Sequence, residues 1–137
     1  MKTEYFIKNT PPPDNIYFQI VKKFGVSWEK GVIFTYGDVI YTKYPLTNDL
    51  LEHELVHVRQ QNGFRGGKNA WWAKYLTDDQ FRLEQELEAY KRQFNWAKNN
   101  IKDRNRLFAI LNQSARDFSG KMYGNLMTYE EALKLLK

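Results

Sequence analysis

Leu51-Glu52-His53-Glu54-Leu55-Val56-His57-Val58-Arg59-Gln60 is the stretch that decides how this chain is read. It holds both histidines of the 137-residue sequence, four residues apart around a glutamate. On an α-helix, positions four apart differ by about 40° in azimuth, so both imidazoles project from one face. Two histidines placed this way can bind one metal ion, with Glu54 in reach of the water on that ion. The flanks support a helix. Asn48 or Asp49 can cap its start, Leu51, Leu55 and Val58 recur at helical spacing, and Gly63 stands where a left-handed residue would end it. The motif is therefore expected mid-helix, on a buried element.

A catalytic zinc takes three protein ligands and keeps one position for water. With no third histidine and no cysteine in the chain, the remaining ligand of such a site has to be a carboxylate. The best source is the segment from Thr77 to Phe94, which reads as a second long helix. It opens with a capping box of Thr77 and Gln80 and a hydrophobic staple of Leu76 and Phe81. Leu83, Leu87, Tyr90, Phe94 and Ala97 form its apolar stripe. On a helical wheel Glu86 falls about 60° from the stripe's centre, Glu84 about 100° and Glu88 about 140°. Glu86 is thus expected to face the interior, and Glu84 and Glu88 to face solvent beside Arg82, Lys91 and Arg92.

With these residues in view, the chain resembles the gluzincins, zinc metallopeptidases with His-Glu-x-x-His on one helix and a glutamate ligand on a following one. Their second motif often reads Glu-x-x-Ala-Asp, and Glu86-Leu87-Glu88-Ala89-Tyr90 matches it at Glu and Ala. The likeness covers residues 49 to about 98. It implies one Zn2+ held by His53, His57 and Glu86, with Glu54 as general base in peptide-bond hydrolysis of a protein or peptide substrate. Tyr90 departs from the pattern, standing where many relatives carry an Asp that orients a zinc histidine. The resemblance also implies a tyrosine to stabilise the oxyanion, since no histidine is left, and Tyr90, Tyr75 and Tyr123 are the candidates.

The fold expected is α+β and mostly helical, a zincin-like single domain over 1-137. Val32–Tyr36 and Val39–Lys43 are β-branched and aromatic runs flanking Gly37-Asp38, a pair suited to a two-residue hairpin turn. By resemblance this hairpin would offer its edge to an extended substrate; the plainer alternative is that it covers the metal-bearing helix. Ile16, Ile20, Val21 and Phe24 predict a helix over 14–24, ended by Gly25. Gly63 to Trp72, with three glycines and adjacent tryptophans, reads as the loop joining the two metal-bearing helices. Further helices are expected over 106–118, with Leu107, Ile110, Leu111 and Ala115 inward, and after a Thr128–Glu131 capping box, with Ala132, Leu135 and Leu136 inward.

Composition narrows the classes. Zero cysteines exclude disulfides and thiolate ligands, and the commitment of both histidines to one helix face argues against a serine or cysteine hydrolase. The first ten residues hold no apolar stretch for a leader, and no run approaches 18 apolar residues, so the expectation is an intracellular chain outside the membrane. The net charge of +5 is spread thinly, with a basic excess only near Lys102, Arg104 and Arg106, close to Trp96 and Phe108. Nucleic-acid binding through that turn is one alternative. Another is a metal-stabilised structural or interaction domain without turnover, part of a phage or larger assembly.

Overall fold

The structure is a computed structural model and describes residues 3–137. Met1 and Lys2, where the segment read as lacking a leader begins, lie outside them. The fold is α+β and mostly helical, as expected. In chain order the elements are β1 (Phe6–Lys8), α1 (Asp14–Phe24), a 3-10 turn (Trp28–Lys30), β2 (Phe34–Tyr36), β3 (Val39–Tyr41), α2 (Asn48–Gly63), α3 (Gly67–Thr77), α4 (Asp79–Asn100), α5 (Arg104–Phe118), a second 3-10 turn (Lys121–Tyr123) and α6 (Tyr129–Leu136). Among the described residues no helix is long and apolar enough to cross a membrane.

The hairpin forms where the sequence places it. β2 and β3 pair antiparallel, Thr35 opposite Ile40 and Tyr36 opposite Val39. Of the two turn residues only Gly37 takes a positive φ, 66°, which is the pattern of a type II′ turn. A third strand joins it: β1 lies parallel to β3, with Phe6 opposite Val39, giving the order β1-β3-β2. All three β1 side chains are exposed, so no alternation marks this strand in the sequence.

Residues 14–24 are helical, with Ile16, Ile20 and Phe24 buried at a four-residue interval. Gly25 ends α1 in the left-handed conformation, its N–H returning to the Val21 carbonyl. The ends of α2 differ from expectation. Thr47, not Asn48 or Asp49, occupies the N-cap, and Gly63 is the last residue of the helix rather than a left-handed stop. The positive φ angles fall later, at Gly66 and Gly67. Those glycines start α3, so the supposed loop is mostly a helix whose Trp71, Trp72, Tyr75 and Leu76 are buried.

α4 is capped by Asp78, which accepts from the Phe81 N–H. Thr77 instead closes α3, donating its hydroxyl to the Ala73 carbonyl at 2.8 Å. The inner face of α4 is Phe81, Arg82, Glu86, Ala89, Tyr90, Gln93 and Ala97, while Leu83, Leu87 and Phe94 are only half-buried. Arg82, expected on the solvent face, is buried. It donates to the carbonyls of Tyr123 and Tyr75 and pairs with Asp79, its guanidinium lying 5.1 Å from the Phe24 ring centre. A buried cation needs such partners, and here they tie the end of α3 and the Lys121–Tyr123 turn to α4. On α5 the buried side is Leu111, Ser114, Ala115 and Phe118, with Leu107 and Ile110 half-buried. On α6 the Thr128–Glu131 capping box is present, Ala132 and Leu136 are buried and Leu135 is exposed.

Candidate metal centre

The inner face of α2 carries Asp49, His53, Glu54, His57 and Gln61 beside Val56 and Val58, all buried. Ionisable groups removed from water cost free energy unless something compensates them. α4 packs along this face and supplies the compensation. His53 Nε2 and His57 Nε2 are 3.2 Å apart, and each is 3.2 Å from Glu86 Oε1. The sequence-predicted trio is therefore brought together, while Glu84 and Glu88 are exposed and outside it.

These residues can hold a metal ion. Zinc bonds of about 2.0–2.1 Å at tetrahedral angles put neighbouring ligand atoms about 3.3–3.4 Å apart. The three edges of 3.2 Å are close to that figure without any rearrangement. Two imidazoles and one carboxylate are also donors that suit a borderline cation.

Charge within the cluster is strongly coupled. Burial alone would lower the pKa of His57, but the Glu86 carboxylate beside it more than reverses this and pushes it up to about 9. Burial likewise opposes ionisation of Glu86, yet the two imidazoles hold it far below the usual carboxylate range. The second oxygen of Glu86, Oε2, accepts from the Tyr75 hydroxyl at 2.7 Å. Burial and the nearby Glu86 charge raise the Tyr75 phenol well above its ordinary value, so it stays a donor.

Glu54 stands beside the trio without joining it. Its Oε2 is 3.9 Å from His53 Nε2, and its Oε1 accepts from the Thr35 hydroxyl of β2 at 2.9 Å. Burial raises its pKa, with the histidines opposing in part. The hairpin is bolted to α2 and α3 at the same residue: the Thr35 carbonyl accepts from Gln61 Nε2 at 2.9 Å and from Trp72 Nε1 at 3.0 Å. At that carbonyl the strand edge is occupied by the protein's own side chains, so there the hairpin covers the helix.

Two spaces reach His53 and Glu54. One is a cavity of ≈ 50 Å³ that also touches His57, Glu86, Phe34 and Met122, room for a few waters. The other is a groove of ≈ 390 Å³ lined among others by Lys30, Ile33, Gln113 and Asp117. Tyr123 lines both. Of the three tyrosine candidates, Tyr75 is committed to Glu86. Tyr90 packs its ring edgewise on His53, centres 4.4 Å apart, and shares a 2.8 Å hydroxyl contact with Tyr123. Lys102, Arg104 and Arg106 are exposed around the start of α5 and line neither space.

Sequence reasoning did not find Thr35, Gln60, Gln61 or Gln93, and it assigned Tyr75 a different task. Uncharged polar residues give no periodic or compositional signal of their own; only the packing of α2 against α4 and the hairpin shows what they touch. No family model, curated protein or solved structure matches the chain.

Proposed function

We propose that this chain is a zincin-like, zinc-dependent peptidase of gluzincin type, acting on protein or peptide substrates. The observation that carries the reading is the convergence of His53 Nε2, His57 Nε2 and Glu86 Oε1, with the non-ligating Glu54 carboxylate alongside and a groove opening onto it. A divalent ion bound there supplies Lewis acidity and makes its water a nucleophile near neutral pH. The chain's own residues do the rest. Thr35 fixes one oxygen of Glu54, leaving the other to accept a proton from water as its oxygen bonds to the scissile carbonyl carbon. Glu54 then returns that proton to the amide nitrogen as the carbon–nitrogen bond breaks, so water is added across one peptide bond. Its burial-raised pKa favours this exchange. The donor to the developing oxyanion is assigned to the Tyr90–Tyr123 pair, whose Tyr123 member lines both spaces.

The test combines metal content and turnover. Purified protein should bind one zinc and cleave a denatured protein such as casein, and Glu54→Gln should keep the zinc while losing about 10²–10⁴-fold in rate. A zinc-loaded wild type without cleavage of unfolded proteins or a mixed peptide library would overturn the peptidase reading, leaving a metal-stabilised structural domain.

A further inference from the structure

Each metal-facing imidazole has a second nitrogen, and each of these meets a glutamine. His53 Nδ1 is 3.0 Å from Gln93 Oε1, and His57 Nδ1 is 2.8 Å from Gln60 Oε1. The orientation of both amides is fixed from behind. Gln93 Nε2 donates to Asp49 Oδ2 at 2.8 Å, and Gln60 Nε2 donates to the Gln85 carbonyl at 3.1 Å and to Glu88 Oε1 at 2.6 Å. Carboxylates and carbonyls only accept, so each amide must turn its NH2 outward and its oxygen toward the ring. An amide oxygen in turn accepts only from an Nδ1 that carries a proton.

We propose that Gln93 and Gln60 are positioning residues that keep a proton on Nδ1 of His53 and His57, so that in the neutral, metal-binding form of each ring both Nε2 lone pairs converge beside Glu86. The consequence for metal binding rests on the metal reading above; the placement of the protons does not. Without these glutamines the favoured neutral form of each ring would carry its proton on Nε2, donating to Glu86, and that bond would have to break before an ion could enter. Gln93 thereby takes the task left open by Tyr90, one turn further along α4. It does so with an amide between ring and carboxylate, which passes on hydrogen-bond direction without setting a negative charge against the imidazole. Both relays also run between α2 and α4, so the packing of the two helices and the aim of the rings are set together.

The chain has only two histidines, so nitrogen-15 spectra of the ring nitrogens, with and without zinc, report on each directly. Both rings should show an exchange-protected Nδ1 proton. Gln93→Met should remove that of His53 and Gln60→Met that of His57, each weakening zinc about 10–100-fold in a chelator competition. Gln93→Glu alone sets two carboxylates together and should not restore the site. Combined with Asp49→Asn it reverses the relay, and should return the His53 signal with zinc affinity within about tenfold of wild type. Should Gln93→Met fail to fold, Gln60→Met carries the test, since Gln60 is half-buried and its partner Glu88 exposed. Neutral rings in the zinc-free wild type that carry the proton on Nε2 rather than Nδ1, or zinc affinity unchanged in both methionine variants, would overturn the assignment. Protected Nδ1 protons in a protein that binds no zinc would uphold it and sink the metal reading instead.

Discussion

Tyr75→Phe removes one oxygen atom from the centre and nothing else. The ring stays stacked on Trp71, centres 4.8 Å apart at 24°, and only the hydroxyl's 2.7 Å bond to Glu86 Oε2 is lost. Both residues are buried, at 4% and 3% exposure, and the only water within reach of the vacated place is that of the ≈ 50 Å³ cavity they line. A hydrogen bond to a charged group contributes about 1.5–3 kcal/mol, and the carboxylate oxygen left behind loses its tyrosine donor. For a chain of this length that is a fall in Tm of about 5–15 °C. The bond uses Oε2, whereas the histidine nitrogens meet Oε1, so it is expected to persist when an ion binds and the loss should be similar in zinc-free and zinc-loaded protein. It should cancel from the binding equilibrium, leaving zinc affinity within about tenfold, or 1.4 kcal/mol. In this the variant should differ from the glutamine variants, which release a proton onto the metal-facing nitrogen. Thermal unfolding of both forms, with a chelator competition, measures all three quantities. A Tm within about 2 °C of wild type, or a hundredfold loss of zinc without loss of stability, would refute the reasoning.

Glu86→Ala should abolish or greatly weaken zinc binding, read by elemental analysis, whereas the exposed Glu84→Ala and Glu88→Ala should each keep one zinc. Thr35→Val keeps the shape of the strand residue but frees Glu54 Oε1; peptidase activity should drop about tenfold or more with zinc content unchanged, since a misplaced base loses part of its 10²–10⁴-fold contribution. Phe118→Ala empties a fully buried site where the ring stacks on Tyr90 at 5.2 Å, and denaturant unfolding should show a loss of about 3–5 kcal/mol. The zinc-free protein should lose stability as pH rises. His57 titrates at about 9 in the folded chain against an ordinary 6.5, so its contribution is complete below pH 6.5 and gone above about 9. Glu54, raised by burial, adds to the same trend, because its ionisation above pH 4.5 costs stability. Glu86, held low, contributes above pH 4.5 and loses its contribution only in acid. Zinc affinity should rise over the range in which zinc-free Tm falls, because His57 must shed a proton to bind; a flat Tm from pH 6.5 to 9 would contradict this coupling.

What could be read from the sequence was whatever carries a period. His53 and His57 four apart, the β-branched runs around Gly37-Asp38 and the Ile16, Ile20, Phe24 spacing each announce their element, and each forms. Glu86 was reachable because a helical wheel turns an apolar stripe into a direction, although the true inner face centres nearer Glu86 than the stripe implied. β1 was not legible, for its three residues bury nothing and pair parallel with a strand thirty-odd residues on. α3 was hidden by the glycines at its start, although Trp71, Trp72, Tyr75 and Leu76 at i, i+1, i+4, i+5 are a helical signature. Arg82 was misplaced because a lone arginine is usually solvated, and only the tertiary arrangement brings two carbonyls and a carboxylate to it.

Gln61 has a consequence for how this region can vary in length. Its side-chain amide accepts from the Gly37 N–H at 2.7 Å and donates to the Thr35 carbonyl, so one glutamine imitates a residue of neighbouring strand. Two turns earlier on the same helix, Glu54 grips the Thr35 hydroxyl. A single inserted residue anywhere from Thr35 to Gly37 would slip the hairpin by one place and turn Thr35 to the opposite face, unfastening the amide and the base together. A side chain at Gly37 would be strained by its positive φ of 66°, even though the Lys68 side chain, 2.9 Å from a Cβ there, could move aside. Insertions and deletions should therefore be tolerated in the 43–47 connection and rejected at 35–37, a spacing rule that distant relatives would have to keep whatever else in them had changed.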